Sequence, residues 1–411
     1  MSSRHWIGRI ICLMVMITLL GGGCAVGEFA EQEWYQAALK GAEMSLGNNF
    51  RLKQVLARAA SGEHITIGTI GGSITEGAGA ASYGECWASR VAVRFGSTYG
   101  VDGSSNVELI NAGVGGTASP FGYMRYGREI VGRVSPEDPD GYPDLVIVEY
   151  SVNDWQEPTG HRCYESMVKE ILQQPNHPAV ILLFAVFKNG WNLQEELRKI
   201  GDRYDLMMVS IRDGIYPRIG KEIPADDFFF DEYHPKSAGH RMMADCIMQC
   251  IADAAEAETS AADINLNAEP VYGTDFMGLK TVFADGIPDG ITVSRGGFTS
   301  QDFNAYRNHP VGLVCGTNFY HDMGNPPDPL TVTGTFSRCL IAWKASQDAA
   351  FGVAEVLVDG EIRATLKGGD GKWGQSEVAL VLDEAEAAEH TVEIRVTERT
   401  KKFTVTAISV R

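Results

Sequence analysis

Between residues 64 and 254, short unbroken apolar runs alternate with longer amphipathic stretches. The runs cover 65–70, 107–110, 145–148, 180–186 and 207–211. The stretches between them, at 87–95, 121–131, 164–172 and 193–200, carry apolar side chains at helical spacing. Strands that are apolar on both faces and separated by helices predict a parallel sheet covered on both sides. A helix over 238–254 closes this unit. Another, over about 28–60, precedes it, from Trp34, Ala37, Ala38 and Leu39 and then Leu52, Val55 and Leu56.

After residue 256 the pattern changes. Residues 257–268 are mainly alanine, acidic and amide side chains and read as a linker. Beyond them the apolar period becomes two, at 330–334, 356–358, 362–366, 378–382, 392–396 and 403–410. Asp359-Gly360 between two such runs predicts a tight hairpin, since both positions of that turn need positive φ. Many short alternating strands without a helical period predict an antiparallel β-sandwich. The expected division is therefore 1–27 export signal, 28–256 α/β domain, 257–268 linker and 269–411 sandwich. No internal repeat is present.

The first segment reads as an address. Arg4, His5 and Arg9 precede an apolar run over 10–20, then Gly21, Gly22, Gly23 and Cys24. A basic start, a short apolar stretch and small residues describe an export signal. The run is too short to span a bilayer. Cys24 after three glycines predicts a bacterial lipoprotein site with an acylated cysteine; cleavage after Ala25-Val26-Gly27 is the alternative and would release the protein.

Composition narrows the partners. The chain of 411 residues has 35 Lys and Arg against 53 Asp and Glu, a net charge of −18. Such a chain repels phosphate backbones, so no nucleic-acid partner is expected. A neutral substrate fits best. Cys86, Cys163, Cys246, Cys250, Cys315 and Cys339 form no CxxC pair and no metal-like spacing with histidine. Cys246 and Cys250, one helical turn apart, are expected to pack in the core. Neither a metal nor an organic cofactor is expected.

Ligands of open parallel sheets bind at the carboxyl ends of the strands, so the chemistry is sought there. Gly71-Gly72-Ser73-Ile74-Thr75 follows the first strand, and its serine could present a nucleophile or merely cap a helix. Asn111-Ala112-Gly113-Val114-Gly115-Gly116-Thr117-Ala118-Ser119 follows the second, with glycines that let backbone N–H groups approach a ligand. It lacks the full dinucleotide fingerprint. Tyr150-Ser151-Val152-Asn153-Asp154-Trp155 follows the third, where Asn153 is an amide donor or a turn former. Asp231-Glu232-Tyr233-His234-Pro235 follows the last; Asp231 is placed to orient His234 through Nδ1–H and leave Nε2 as a base. His240, within the helix, is expected to pack. Together the four segments supply a nucleophile, oxyanion donors, an orienter and a base at one rim.

In these four blocks the sequence resembles the SGNH, or GDSL-like, hydrolases, over about residues 64–254. The resemblance implies a flavodoxin-like three-layer α/β fold with Ser73 as nucleophile and Asp231 and His234 completing the triad. Gly116 N–H, Asn153 Nδ2–H and the Ser73 N–H would form the oxyanion hole. Gly72 stands where the motif name has aspartate, and Ser151 replaces the glycine of GxND. The added sandwich resembles the accessory domains of bacterial carbohydrate acetylesterases.

The expected reaction is acyl transfer to water, on an acetylated polysaccharide or oligosaccharide. A lipid or thioester hydrolase, an acyltransferase with the same site and an inert carbohydrate-binding protein are the alternatives. Trp155 is a candidate wall on which a sugar ring stacks, or a core aromatic. Trp191 is undecided in the same way. Tyr306, Tyr320, Trp343 and Trp373 are candidates in the second domain, with Trp373 in the most loop-like context.

Overall fold

The computed structural model describes residues 29, 31–136, 140–305, 316–372 and 375–411. The export signal with Cys24, together with Tyr306, Cys315 and Trp373, lies outside the described residues.

The amino-terminal unit runs α1 (Glu33–Ala42), β1 (Glu43–Ser45), α2 (Phe50–Ser61), β2 (Ile65–Gly71), α3 (Ser73–Glu76), α4 (Trp87–Tyr99) and β3 (Val107–Asn111). It continues with α5 (Ser119–Glu129), β4 (Leu145–Glu149), α6 (Arg162–Leu172), β5 (Ala179–Phe184), α7 (Gln194–Tyr204) and β6 (Met207–Ser210). Short helices α8 (Ile211–Gly214) and α9 (Ala225–Phe228) lead to α10 (Ser237–Glu256). All five apolar runs are strands. Their order across the sheet is β1-β6-β5-β4-β2-β3, parallel except for β1. Counting the parallel strands alone, the order is the flavodoxin-like one, whose topological switch point lies between β2 and β4.

β2, β4, β5 and β6 are buried throughout, as expected for strands with a helix layer on each face. One core, with Ile67, Trp87, Phe95 and Ile247, lies on the face covered by α4 and α10. The other, with Val146, Val148, Tyr164 and Ile171, lies under α5 and α6. Cys246 and Cys250 are free and buried in the first core.

The helix expected over about 28–60 is two helices with a strand between them. The periodicity could not reveal the break, because apolar residues on both sides keep helical spacing. A Cβ at Gly47, where φ is +54°, would fall 2.3 Å from the Leu206 carbonyl carbon. The chain therefore turns tightly against the start of β6, and Glu43–Ser45 pairs with the β6 edge.

The carboxyl-terminal unit is antiparallel. It contains β7 (Lys280–Val282), β8 (Ile291–Ser294), β9 (Phe319–His321), β10 (Leu330–Ala345), β11 (Val353–Val358), β12 (Glu361–Lys367), β13 (Gln375–Val396) and β14 (Phe403–Val410). β10 and β13 are longer than the alternating runs suggested. The first half of β10 pairs with β8 and the end of β13, and its second half pairs with β14 and the start of β13. Register shifts near Arg338 and Leu340 mark the change of partner. Both halves feed one core containing Val332, Ile341, Val356, Ile394 and Ile408. The exposed acidic stretch at 383–389 hid the continuity of β13, because it interrupts the apolar alternation without interrupting the strand. Asp359 and Gly360 both take positive φ between β11 and β12, as the hairpin signal predicted.

The two units are packed together. Glu165 on α6 is buried, and its carboxylate accepts the N–H groups of Val271 (2.7 Å), Tyr272 (2.5 Å) and Gly273 (2.9 Å) and the Tyr204 hydroxyl (3.0 Å). Arg162 ion-pairs with Asp275 and Asp383, both at 2.7 Å, and Arg338 pairs with the same two carboxylates. Ile264, Phe276, Leu340 and Ala407 are part of the core beneath α5 and α6. Within 257–268, Asp263 pairs with Arg51 at 2.6 Å, so this segment is pinned to α2.

Candidate active site

β2 ends at Gly71, and the backbone turns through Gly72 directly into α3, which Ser73 opens. The Ser73 side chain caps nothing. Its Oγ lies 2.9 Å from His234 Nε2. Residues 229–236 loop back at the start of α10: Phe230 N–H donates to His234 O (2.8 Å) and Lys236 N–H to Phe228 O (2.7 Å). Inside that loop, Asp231 Oδ1 accepts the N–H groups of Tyr233 (2.7 Å) and His234 (2.8 Å). Asp231 Oδ2 lies 2.8 Å from His234 Nδ1. A ring with Nδ1 on a carboxylate donates from that nitrogen and leaves Nε2 as the acceptor facing the Ser73 hydroxyl. Burial raises the cost of ionising Asp231, but the bonds from the His234 ring and the two N–H groups outweigh it and hold its carboxyl below the usual carboxylate range. Serine, imidazole and carboxylate are thus connected in one line, at the carboxyl ends of the strands beside the switch point.

Asn153 and Gly116 sit on the same rim. Asn153 ends a tight turn after β4, with its N–H on Tyr150 O at 2.9 Å. Its side-chain amide lies over Gly72, where a Cβ would fall 2.2 Å from Asn153 Oδ1. The glycine at the motif's aspartate position is therefore the residue that leaves room for this amide, a packing role the sequence did not reveal. Gly116 has φ +67° in the loop between β3 and α5. It lines a cleft of about 130 Å³ together with Ala118, Asn153 and Trp155. The opposite wall is supplied by the carboxyl-terminal unit, through Lys372, Gln375, Ser376 and Glu377. Trp155 is 63% exposed, so it is a surface aromatic.

The other aromatic candidates separate. Trp191 is partly buried and stacked on Phe187, whose other edge meets the exposed Tyr233 ring. Tyr320 is 8% exposed, and Trp343 packs on the sandwich core with Nε1 donating to Lys367 O. His240 is fully buried: Nδ1 accepts the Trp87 N–H and Nε2 donates to Ala78 O, and burial pushes the ring down to about 4.

Three carboxylates beneath the rim, Glu149 and Asp154 buried and Glu76 partly buried, were not singled out in the sequence. Glu149, at the end of β4, accepts the Thr75 hydroxyl at 3.0 Å. Glu76 Oε2 accepts the Gly115 N–H at 2.7 Å. Asp154 Oδ1 accepts the Ser119 N–H at 2.7 Å. Burial pushes Glu149 up to about 7 and Asp154 to about 8, and raises Glu76. The available signal was position alone: each carboxylate stands inside or next to one of the four blocks. Among the described residues, no three His, Cys, Asp or Glu side chains are arranged to hold a metal ion.

The GDSL-like lipase/acylhydrolase family model matches residues 69–242, which contain the whole of this constellation. The α/β domain belongs to the GDSL-like lipase/acylhydrolase family. The chain is a carboxylic ester hydrolase. As a GDSL-like hydrolase with a second domain, it is similar in structure to a two-domain esterase active on acetylated mannans. That likeness has 26% identity and a TM-score of 0.76, covering 90% of this chain and 98% of the other. The same esterase co-crystallised with mannopentaose gives 25% identity and a TM-score of 0.75, covering 90% and 97%. No curated protein sequence matches the chain.

Proposed function

We propose that this GDSL-like hydrolase removes acetyl groups from a neutral polysaccharide, through Ser73 as nucleophile, His234 as base and Asp231 as the group that orients the imidazole. The observation that carries the reading is the unbroken line from the Asp231 carboxylate through His234 to Ser73 Oγ, with contacts of 2.8 and 2.9 Å. Ser73 Oγ attacks the ester carbonyl carbon while its proton passes to His234 Nε2. The tetrahedral oxyanion is held by the Ser73 N–H, Gly116 N–H and Asn153 Nδ2–H. His234 then protonates the leaving sugar oxygen. Water, deprotonated by the same ring, hydrolyses the acetyl-enzyme and restores Ser73.

The cleft and the likeness support this substrate class. Net charge −18 disfavours anionic polymers. Trp155 offers an exposed ring beside Asn153, and Lys372, Gln375 and Glu377 face it with groups that hydrogen-bond hydroxyls. The two-domain esterase with the same architecture is active on acetylated mannans, so acetylated mannan is the first substrate to test. Acetate release from a panel of acetylated mannan, xylan and pectin, alongside octanoyl esters, tests the reading. Release confined to octanoyl esters would replace it with a lipid hydrolase.

We extend the proposal to location. The basic start, the short apolar run and Cys24 after three glycines support export and acylation at Cys24. Labelling by palmitate that disappears in Cys24→Ala tests it; labelling that persists excludes Cys24 as the anchor.

A further inference from the structure

Gly116 lies in a loop anchored on both sides by carboxylates, one partly buried and one fully buried. Glu76 ends α3, three residues after Ser73, and its Oε2 accepts the Gly115 N–H at 2.7 Å. Asp154 directly follows Asn153, is 2% exposed, and its Oδ1 accepts the Ser119 N–H at 2.7 Å. A third contact tightens the loop, as Thr117 Oγ1 donates to Val114 O at 2.7 Å. The loop also presses on α3 without any side chain between them. A Cβ at Gly113 would fall 2.3 Å from the Glu76 nitrogen.

Each carboxylate joins two of the four sequence blocks. Glu76 ties the nucleophile's helix to the glycine loop, and Asp154 ties the Asn153 turn to the same loop. A backbone N–H is aimed only by its own peptide plane, and Gly116 has no side chain with which to fix that plane. In its left-handed conformation the loop has many alternatives. Both carboxylate bonds are short, at 2.7 Å. At Gly115 and Ser119 they flank the N–H that the mechanism uses.

We propose that Glu76 and Asp154 are positioning residues that hold the 115–119 loop between the Ser73 helix and the Asn153 turn, and so aim the Gly116 N–H at the oxyanion. The inference rests on the reading of Ser73, Gly116 and Asn153 given above. Neither carboxylate meets the substrate; each acts through the loop. Since acceptance of one N–H is what each supplies, an amide of the same shape serves in its place.

The test measures kcat and KM on p-nitrophenyl acetate for Asp154→Ala, Asp154→Asn, Glu76→Ala and Glu76→Gln, with Ser73→Ala as the background and thermal melting as the folding control. Misplacing a catalytic group by about 1 Å costs on the order of a hundredfold. The alanine variants are expected to lose about ten- to a hundredfold in kcat, with KM held within about twofold. The Asn and Gln variants are expected to recover to within about threefold of the parent. Alanine variants that keep the parent kcat, or amide variants as impaired as alanine, overturn the positioning role. If Asp154→Ala does not fold, the Glu76 pair decides by the same thresholds. Activity surviving in Ser73→Ala would instead overturn the reading of the site itself, a separate result.

Discussion

Ser73 Oγ and His234 Nε2 lie 2.9 Å apart although 161 positions separate the two residues in sequence. The contact exists because β2 and the loop before α10 both end on the same edge of the parallel sheet. Such an edge gathers the ends of strands distant in sequence, which is why a nucleophile and its base need no sequence proximity.

The Asn153 amide is the side-chain oxyanion donor in this account. Asn153→Ala is expected to lower kcat by about a hundred- to a thousandfold, with little change in KM. Gly72→Ala should do much the same without removing any donor, because its Cβ would displace the amide that now lies 2.2 Å from that position. Steady-state kinetics on p-nitrophenyl acetate check both. A fully active Gly72→Ala enzyme would show that the amide has room to move.

Asp231 carries a signed pH dependence. Its carboxyl is held below the usual range in the folded protein, so the folded form retains the charge more readily than the unfolded chain. Its contribution to stability is present above the ordinary aspartate value, about 3.9, and disappears as pH falls through the lower folded value. Asp231→Asn should therefore melt below the parent at neutral pH, and the gap should close towards pH 3. The same variant should lose about four orders of magnitude in kcat through the wrong imidazole tautomer. Melting curves against pH and a single rate at pH 7 check the two halves.

Asp154 and Glu149 have the opposite sign. Burial pushes them up to about 8 and about 7, so the folded protein holds protons that the unfolded chain releases from about pH 4 upward. Stability conferred at low pH is lost progressively as pH rises towards those folded values. Asp154→Asn removes its share of this slope. The expected outcome is a flatter melting temperature between pH 5 and 8 in the variant than in the parent, read by calorimetry.

The interface between the two units rests on Glu165. Its carboxylate accepts three N–H groups from 271–273 and a tyrosine hydroxyl. Replacing it by leucine leaves those donors buried without an acceptor, at about 1–3 kcal/mol each for any that water does not reach. Glu165→Leu should lower the urea midpoint clearly, whereas Arg162→Ala, which breaks two partly exposed ion pairs whose carboxylates keep Arg338, should lower it far less.

Trp155 separates polymer binding from chemistry. Trp155→Ala should raise KM for acetylated mannan about three- to tenfold, the equivalent of one stacking contact. Turnover of p-nitrophenyl acetate should be unchanged.

The parallel sheet was legible because strands buried on both faces leave unbroken apolar runs, and each of the five runs is a strand. The candidate site was legible because strand-end chemistry is concentrated in short blocks, and the structure brings Ser73 to His234 and Asp231 while placing Asn153 and Gly116 in one cleft. Other features left no local trace. Glu43–Ser45 is a strand only because the β6 edge is there to pair with. Glu76 and Asp154 look like ordinary polar residues until the loop they hold is folded against them. Trp155 stood equally as core or surface, since an isolated aromatic carries no periodicity.

The most direct test of the central claim is the rate of p-nitrophenyl acetate hydrolysis by Ser73→Ala beside the parent enzyme, with folding checked by melting temperature. Loss of a triad nucleophile is expected to lower kcat by at least about a thousandfold while leaving the melting transition in place. A folded Ser73→Ala protein that hydrolyses the ester at the parent rate would contradict the account.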